Sequence, residues 1–342
     1  MSEDRSLALL GGPATGKTTY LGALVDALHT HQLQHLRMDG LDPDARAISR
    51  LAEPLLMGAY PQRTKSAERH ELVARLRTEG TLFQSSTFTL RAGDYDGEEV
   101  DRLFRDRIHG WTPEWKRRAL STGLLLLVRA DTNSSPPLRN APAFTETERW
   151  RRLRGQADTT RASPPTVAVP SAAPSNPEAF HGPLHVDETP PPPRLSPSAP
   201  VAVPDTFSVI ELLQFIRHVR GLAPGHRPRG KERFRIALLV SAWDAMDSAW
   251  RKVGPAAWLA QQFPLLEDFL WSNFSGDDLF RFGLSATGGD LHDPRYRSQY
   301  LDTPCGFIEW RDPLRGIRRT RDIGLPLYWL LFGDHAFSAA DT

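Results

Sequence analysis

The stretch "GGPATGKT", Gly11 to Thr18, directly follows the apolar run Leu7 to Leu10 and directly precedes "TYLGALVDAL". Gly11, Gly16, Lys17 and Thr18 satisfy GxxxxGK[ST] between a strand-like and a helix-like run, the setting in which this pattern binds phosphate. The reason is geometric. A Gly-rich turn lets backbone N–H groups close around an anion, and the positive end of the following helix adds its partial charge. Gly11, Gly12, Pro13, Ala14, Thr15, Gly16, Lys17, Thr18 and Thr19 would form that cradle. Lys17 would reach the terminal phosphates as a point charge, and the Thr18 hydroxyl would hold Mg2+. A plain structural turn is the competing reading; the scarcity of lysine, Lys17, Lys65, Lys116, Lys231 and Lys252 being all there are, weighs against it.

Residues with related chemistry fall after other apolar runs. "DYDG", Asp94 to Gly97, follows "TFTLRA", where Asp94 would hold Mg2+ through water and the Gly97 N–H would meet a γ-phosphate. "IALLVSAWD" ends on Asp244, an acceptor suited to the paired N1 and N2 donors of guanine, which adenine lacks. "FRFGLSAT" ends on Ser285, Ala286 and Thr287, where a backbone N–H would be given to guanine O6. His29, His31 and His35 are read as solvated or capping groups, because only His31 and His35 share a helix face. The carboxylates of "DGLDPDA" are read as a solvated loop.

Positioning these residues requires an alternation of strands and helices, and the sequence supplies it. Strands are expected over Ser6 to Leu10, Glu71 to Arg77, Thr87 to Ala92, Gly123 to Arg129, Arg235 to Ser241 and Leu279 to Leu284. Helical patterns cover Lys17 to Leu28, Glu98 to Arg107, Pro113 to Leu120, Phe207 to Val219, Pro255 to Asn273 and Leu325 to Phe337. Such alternation predicts an α/β three-layer sandwich, a mostly parallel sheet covered on both faces. The stripe Trp258, Phe263, Leu266, Phe269, Leu270 and Phe274 is read as core.

Between Thr132 and Pro204 lie sixteen of the twenty-nine prolines. Proline cannot donate to helix or sheet ladders, and the stretch offers little apolar surface to offset chain entropy, so a largely disordered insertion is expected. The domain boundaries follow: 1–131, the insertion 132–205, and 206–342 with a helical extension at its end. A net charge of +1 gives no whole-chain reason to expect nucleic acid as partner. Cys305 is the only cysteine, which excludes an internal disulfide and fits a reducing compartment. No run reaches the roughly 18 apolar residues of a membrane span, and neither terminus carries a lipidation pattern, so a cytoplasmic protein without its own membrane anchor is expected.

The order of phosphate loop, DxxG, strand-end Asp and strand-end Ser-Ala resembles the Ras-like (TRAFAC-class) P-loop GTPases over residues 5–131 and 206–290. The resemblance implies a six-stranded sheet with one antiparallel strand, GTP or GDP and Mg2+ as ligands, and two switch segments that answer to the γ-phosphate and are read by a protein effector or regulator. The format and unlipidated ends further resemble bacterial GTPases of the double-GTPase kind, found in multi-component signalling or conflict systems. The first switch threonine would be Thr64, in the loop before "HELVARLR", rather than Thr78 or Thr81, and would join Thr18 and Asp94 at the Mg2+ site. Two departures stand out. Ser241-Ala242-Trp243-Asp244 replaces the usual Asn-Lys-x-Asp, losing the Asn that braces the phosphate loop, and Glu98 follows Gly97 where relatives place Gln. Glu98 would orient water or simply start a helix; Arg63 would reach the γ-phosphate in cis or remain a solvated arginine.

Three functions compete at this stage. The first is a GTP-binding switch with slow Mg2+-dependent hydrolysis, for which Lys17, Glu98 and Arg63 would be the catalytic groups. The second is a pseudo-GTPase scaffold that binds nucleotide without appreciable turnover. The third, an ATP-dependent P-loop enzyme, is opposed by Asp244 and Ser285-Ala286 at two successive strand ends.

Overall fold

Apolar runs of about seven residues, fully buried on both faces, form the centre of one sheet. The computed structural model describes residues 5–12, 14–39, 45–61, 70–79, 87–94, 112–130, 205–223, 225–228, 230 and 234–340. The helical pattern Glu98 to Arg107 and the insertion, apart from its last residue Asp205, lie outside them. The chain divides into two units, Met1–Pro136 with Val203–Thr342 and Pro137–Ala202, and every described residue belongs to the first.

The strands are β1 (Arg5–Gly11), β2 (Leu36–Met38), β3 (His70–Thr78), β4 (Thr87–Asp94), β5 (Gly123–Arg129), β6 (Arg235–Ser241), β7 (Leu279–Ser285), β8 (Phe307–Asp312) and β9 (Gly316–Thr320). They lie side by side in the order β2-β3-β4-β1-β5-β6-β7-β8-β9. β4, β1, β5, β6 and β7 run parallel, and β3 is antiparallel to β4. Those six are the strands expected from the sequence, with the one antiparallel member. The sheet does not end there, and the count of six is corrected to nine among the described residues. β2 adds to β3 at one edge, and the hairpin β8–β9 adds antiparallel to β7 at the other. The final segment is therefore a hairpin followed by helices.

The helices are α1 (Lys17–His29), α2 (Ala45–Leu56), α3 (Pro113–Ala119), α4 (Asp205–Val219), α5 (Ser248–Val253), α6 (Pro255–Gln262), α7 (Pro264–Asn273), α8 (Pro294–Asp302), α9 (Leu325–Phe332) and α10 (His335–Ala340). The single helix expected over Pro255 to Asn273 is two. Phe263 leaves the helical region (φ −128°, ψ 56°), because a proline disfavours helical geometry in the residue before it and Pro264 then opens a new helix. Asp247 and Asp293 cap α5 and α8 by accepting from backbone N–H groups in their first turns.

Alternation along the strands splits the core in two. Leu7, Leu9, Leu125, Leu127, Ala237 and Leu239 face one layer with α1 and α9. Ala8, Leu10, Leu124, Leu126, Ile236 and Leu238 face the other with α3, α4, α6 and α7, and Trp258, Phe263, Leu266, Leu270 and Phe274 are buried there as expected. Each buried leucine contributes ~1.5–3 kcal/mol, so the parallel block is the most heavily stabilised part of the sheet. Its carboxyl ends, Gly11, Asp94, Arg129, Ser241 and Ser285, share one edge, and the strand order reverses about β1. Open α/β sheets bind ligands at such a point. No helix among the described residues is long and apolar enough to cross a membrane.

Candidate functional site

β1 delivers Gly11 and α1 begins at Lys17, so the intervening residues must turn the chain off the sheet edge. Ala14 (φ 53°) and Gly16 (φ 83°) adopt left-handed geometry to do so. That conformation costs an alanine roughly 1–2 kcal/mol; the Arg129 Nη1 group, which donates to the Ala14 carbonyl at 3.0 Å, helps to hold it. Gly11 admits no side chain, since a Cβ would stand 2.7 Å from Thr15 Oγ1 and 3.0 Å from the Leu127 carbonyl. Lys17 is buried, and its Nζ donates to the carbonyls of Gly11 (2.9 Å) and Gly12 (2.7 Å). Thr15 Oγ1 donates to the Gly12 carbonyl at 2.9 Å. The residue at the amino end of α1, Gly16, has no side chain with which to cap it. Backbone N–H groups at a helix start, beside a lysine and a glycine turn, fit a phosphate group. Thr18 lies in the first turn of α1, and Asp94 ends β4, the parallel neighbour of β1. Hydroxyl and carboxylate oxygens are the donor types Mg2+ takes, so these residue types fit that ion; the Asp94 side chain lies outside the described set.

Ser241 ends β6. Its hydroxyl is buried and donates to the Thr15 carbonyl at 2.7 Å, with the Val128 carbonyl 3.3 Å away. The bracing of the phosphate loop that the missing Asn seemed to forfeit is therefore supplied by a shorter side chain. Ala242 (φ 55°) then turns the chain into a single 3-10 turn, Trp243–Ala245, which presents Asp244 half-buried. Trp243 is wholly buried.

The next strand end is held more tightly than its sequence suggests. Ser285 is fully buried, and its Oγ accepts from the Gly288 N–H at 2.8 Å. The Tyr296 hydroxyl, from α8, donates to the Thr287 carbonyl at 2.8 Å. Tyr60, beyond α2, accepts from the Leu291 N–H at 3.1 Å and donates to the Gly289 carbonyl at 3.3 Å. Gly288 and Gly289 leave no space for a side chain: a Cβ on the first would lie 2.0 Å from the Cys305 carbonyl, and on the second 2.6 Å from the Tyr296 ring. Burial raises the pKa of the Tyr60 and Tyr296 phenols, and in both the negative charge of Asp244 pushes the same way. The two tyrosines thus stand within electrostatic reach of that carboxylate.

The structure brings the phosphate loop, Asp244, Ser285 and Ala286 to one edge of the sheet. Pro13, Arg63, Thr64, Gly97 and Glu98 lie outside the described residues. Sequence reasoning missed the bracing role of Ser241, the Arg129 contact and both tyrosines. The adjacent glycines 288 and 289 were the one signal that something large packs against this loop. His35 stacks on Tyr328 with ring centroids 4.8 Å apart.

A family model described as Double-GTPase 1 matches residues 8–330. Among solved structures, the chain is similar to the signal recognition particle receptor SRb-GTP/SRX complex from Chaetomium thermophilum. The identity is 9% and the TM-score 0.35, with 88% of this chain and 99% of that chain covered. No curated protein matches it.

Proposed function

The chain belongs to the Double-GTPase 1 family, a GTP-binding P-loop protein, and from that premise we propose that it is a molecular switch. In this reading it binds GTP with Mg2+, hydrolyses it slowly and is read by a protein effector or regulator through its switch segments. Lys17 and the loop N–H groups hold the phosphates, Thr18, Thr64 and Asp94 serve the metal ion, and Asp244 with the backbone at Ser285-Ala286 reads the base. Thr64 and Gly97 answer to the γ-phosphate, Arg63 stabilises charge as the bond breaks, and Glu98 orients the attacking water. The observation that most supports one composite site is the Ser241 hydroxyl bond to the Thr15 carbonyl, 2.7 Å, which ties the strand before Asp244 to the phosphate loop.

Competition among GTP, ATP and XTP tests the base assignment. The native protein should prefer GTP. Asp244→Asn should move preference toward XTP by about tenfold or more, because the amide gives a hydrogen bond to the xanthine 2-oxo group where the carboxylate accepted from the guanine amino group. A native preference for ATP overturns the reading. Single-turnover hydrolysis with Mg2+ then separates a slow GTPase from a nucleotide-binding scaffold: GTP retained without cleavage selects the scaffold.

A further inference from the structure

Glu309, on β8, is a buried carboxylate with no part in the function proposed above. Its Oε2 accepts from the Trp243 indole N–H at 2.5 Å. Its Oε1 accepts from Arg251 Nη2 at 3.1 Å and from Arg319 Nε at 2.7 Å, and Arg319 Nη2 donates to the same oxygen. Sheet register explains how these groups meet. Gly283 of β7, Glu309 of β8 and Arg319 of β9 lie opposite one another across three adjacent strands. Gly283 is bare because the Trp243 ring occupies its side-chain space; a Cβ there would stand 2.5 Å from the ring. The indole therefore lies over Gly283 and reaches the carboxylate beyond it. Trp258 closes the ring from the side, edge-on with centroids 6.3 Å apart.

Trp243 is the residue immediately before Asp244 and opens the 3-10 turn that carries it. A tryptophan held by packing, by a glycine beneath it and by a charge-assisted hydrogen bond has one position. That position anchors the backbone from which the Asp244 side chain springs. We propose that Glu309, acting through Trp243, is a positioning residue for guanine selectivity, so that the C-terminal hairpin added to the sheet sets the aim of Asp244. The inference rests on the reading of Asp244 as the group that accepts from the guanine amino group. The simpler alternative makes Glu309 a stabiliser of the hairpin alone. Its ion pairs with Arg251 and Arg319 would suffice for that, and the indole bond would then have no bearing on base choice.

Inosine triphosphate separates the two, since it lacks the 2-amino group that Asp244 would accept from. The full chain and its Trp243→Phe and Glu309→Gln variants are compared for GTP and ITP affinity by calorimetry, with thermal melts alongside. Trp243→Phe keeps an aromatic ring over Gly283 and removes the N–H donor together with part of the buried indole; the melt reads the packing lost and the GTP:ITP ratio reads the aim of Asp244, so the variant remains decisive if Glu309→Gln fails to fold. Both variants should lose about tenfold in GTP affinity and no more than about twofold in ITP affinity, the worth of one misdirected hydrogen bond to a charged group. Folded variants that keep the native GTP:ITP ratio, however far overall affinity or melting temperature falls, overturn the positioning role. A native protein that does not distinguish GTP from ITP overturns the Asp244 reading itself, and the inference with it; that outcome is visible before any variant is measured.

Discussion

An ammonium group taken out of water must have its protons matched, and Lys17 meets this with two backbone carbonyls of its own loop, Gly11 and Gly12. Both contacts lie within the loop, so they shape the cradle and hold the charge beside the start of α1 at once. Lys17→Ala removes that charge and leaves two carbonyls that water can satisfy in part. GTP affinity should fall about a hundredfold or more, the scale of truncating one member of a hydrogen-bonded charge pair. The melt in nucleotide-free buffer should drop by only about 1–2 °C, which is what ~1 kcal/mol amounts to in a chain of this size. Unchanged calorimetric affinity for GTP would remove the basis of the phosphate assignment.

At the level of elements, β6 connects the two halves of the site. Its last residue, Ser241, sends one hydroxyl to the Thr15 carbonyl, and the turn that follows carries Trp243 and Asp244. Ser241→Ala should therefore weaken GTP binding by about threefold to tenfold while costing about 1 kcal/mol of stability, the net worth of a buried neutral hydrogen bond. Calorimetry with GTP and with inorganic triphosphate distinguishes the cause. If the bond braces the phosphate loop, both ligands lose affinity; loss for GTP alone would mean that Ser241 acts on the base side only. The six central strands were legible because each shows an apolar run or an apolar alternation, "GLLLLVR" most plainly and "HELVARLR" least. β8 and β9 were not, since "FIEWRD" and "GIRRT" mix charges with apolar residues; β9 is the edge of the sheet, and β8 carries the buried Glu309 among its apolar residues. α2 was passed over because acidic "DGLDPDA" before it reads as loop and Pro54 interrupts its pattern. The GxxxxGK[ST] pattern after β1 and the place of Asp244 after β6 could be read from spacing, whereas the surroundings of Glu309 could not. Its partners are Arg319, opposite it in the sheet, Trp243 in a 3-10 turn and Arg251 in α5, which only the tertiary fold brings together, and a glutamate between Ile308 and Trp310 was the sole hint.

For the molecule as a whole, the sheet and the site are assembled from both sides of the Pro-rich stretch. β5 and β6 pair without interruption from Gly123 with Arg235 to Arg129 with Ser241, although more than seventy residues separate Ala130 from Asp205, where α4 begins. Every described contact that builds the cradle, the Ser241 bridge and the Glu309 cluster comes from Met1–Pro136 and Val203–Thr342. Loop-closure entropy depends only on the logarithm of length, so removing Ser163 to Ser198, roughly half of that stretch, changes stability by about 0.6 kcal/mol in the favourable direction. The shortened chain should melt within about 2 °C of the native one, since that free energy corresponds to a shift of this size. Its GTP affinity should stay within about twofold, because the base and phosphate groups keep all their described partners. A melt lowered by several degrees would mean that the deleted residues pack on the sheet unit. Unchanged stability with a large loss of GTP affinity would instead place part of the nucleotide site within the Pro-rich stretch, and the composite site drawn from strand ends alone would have to be extended to include it.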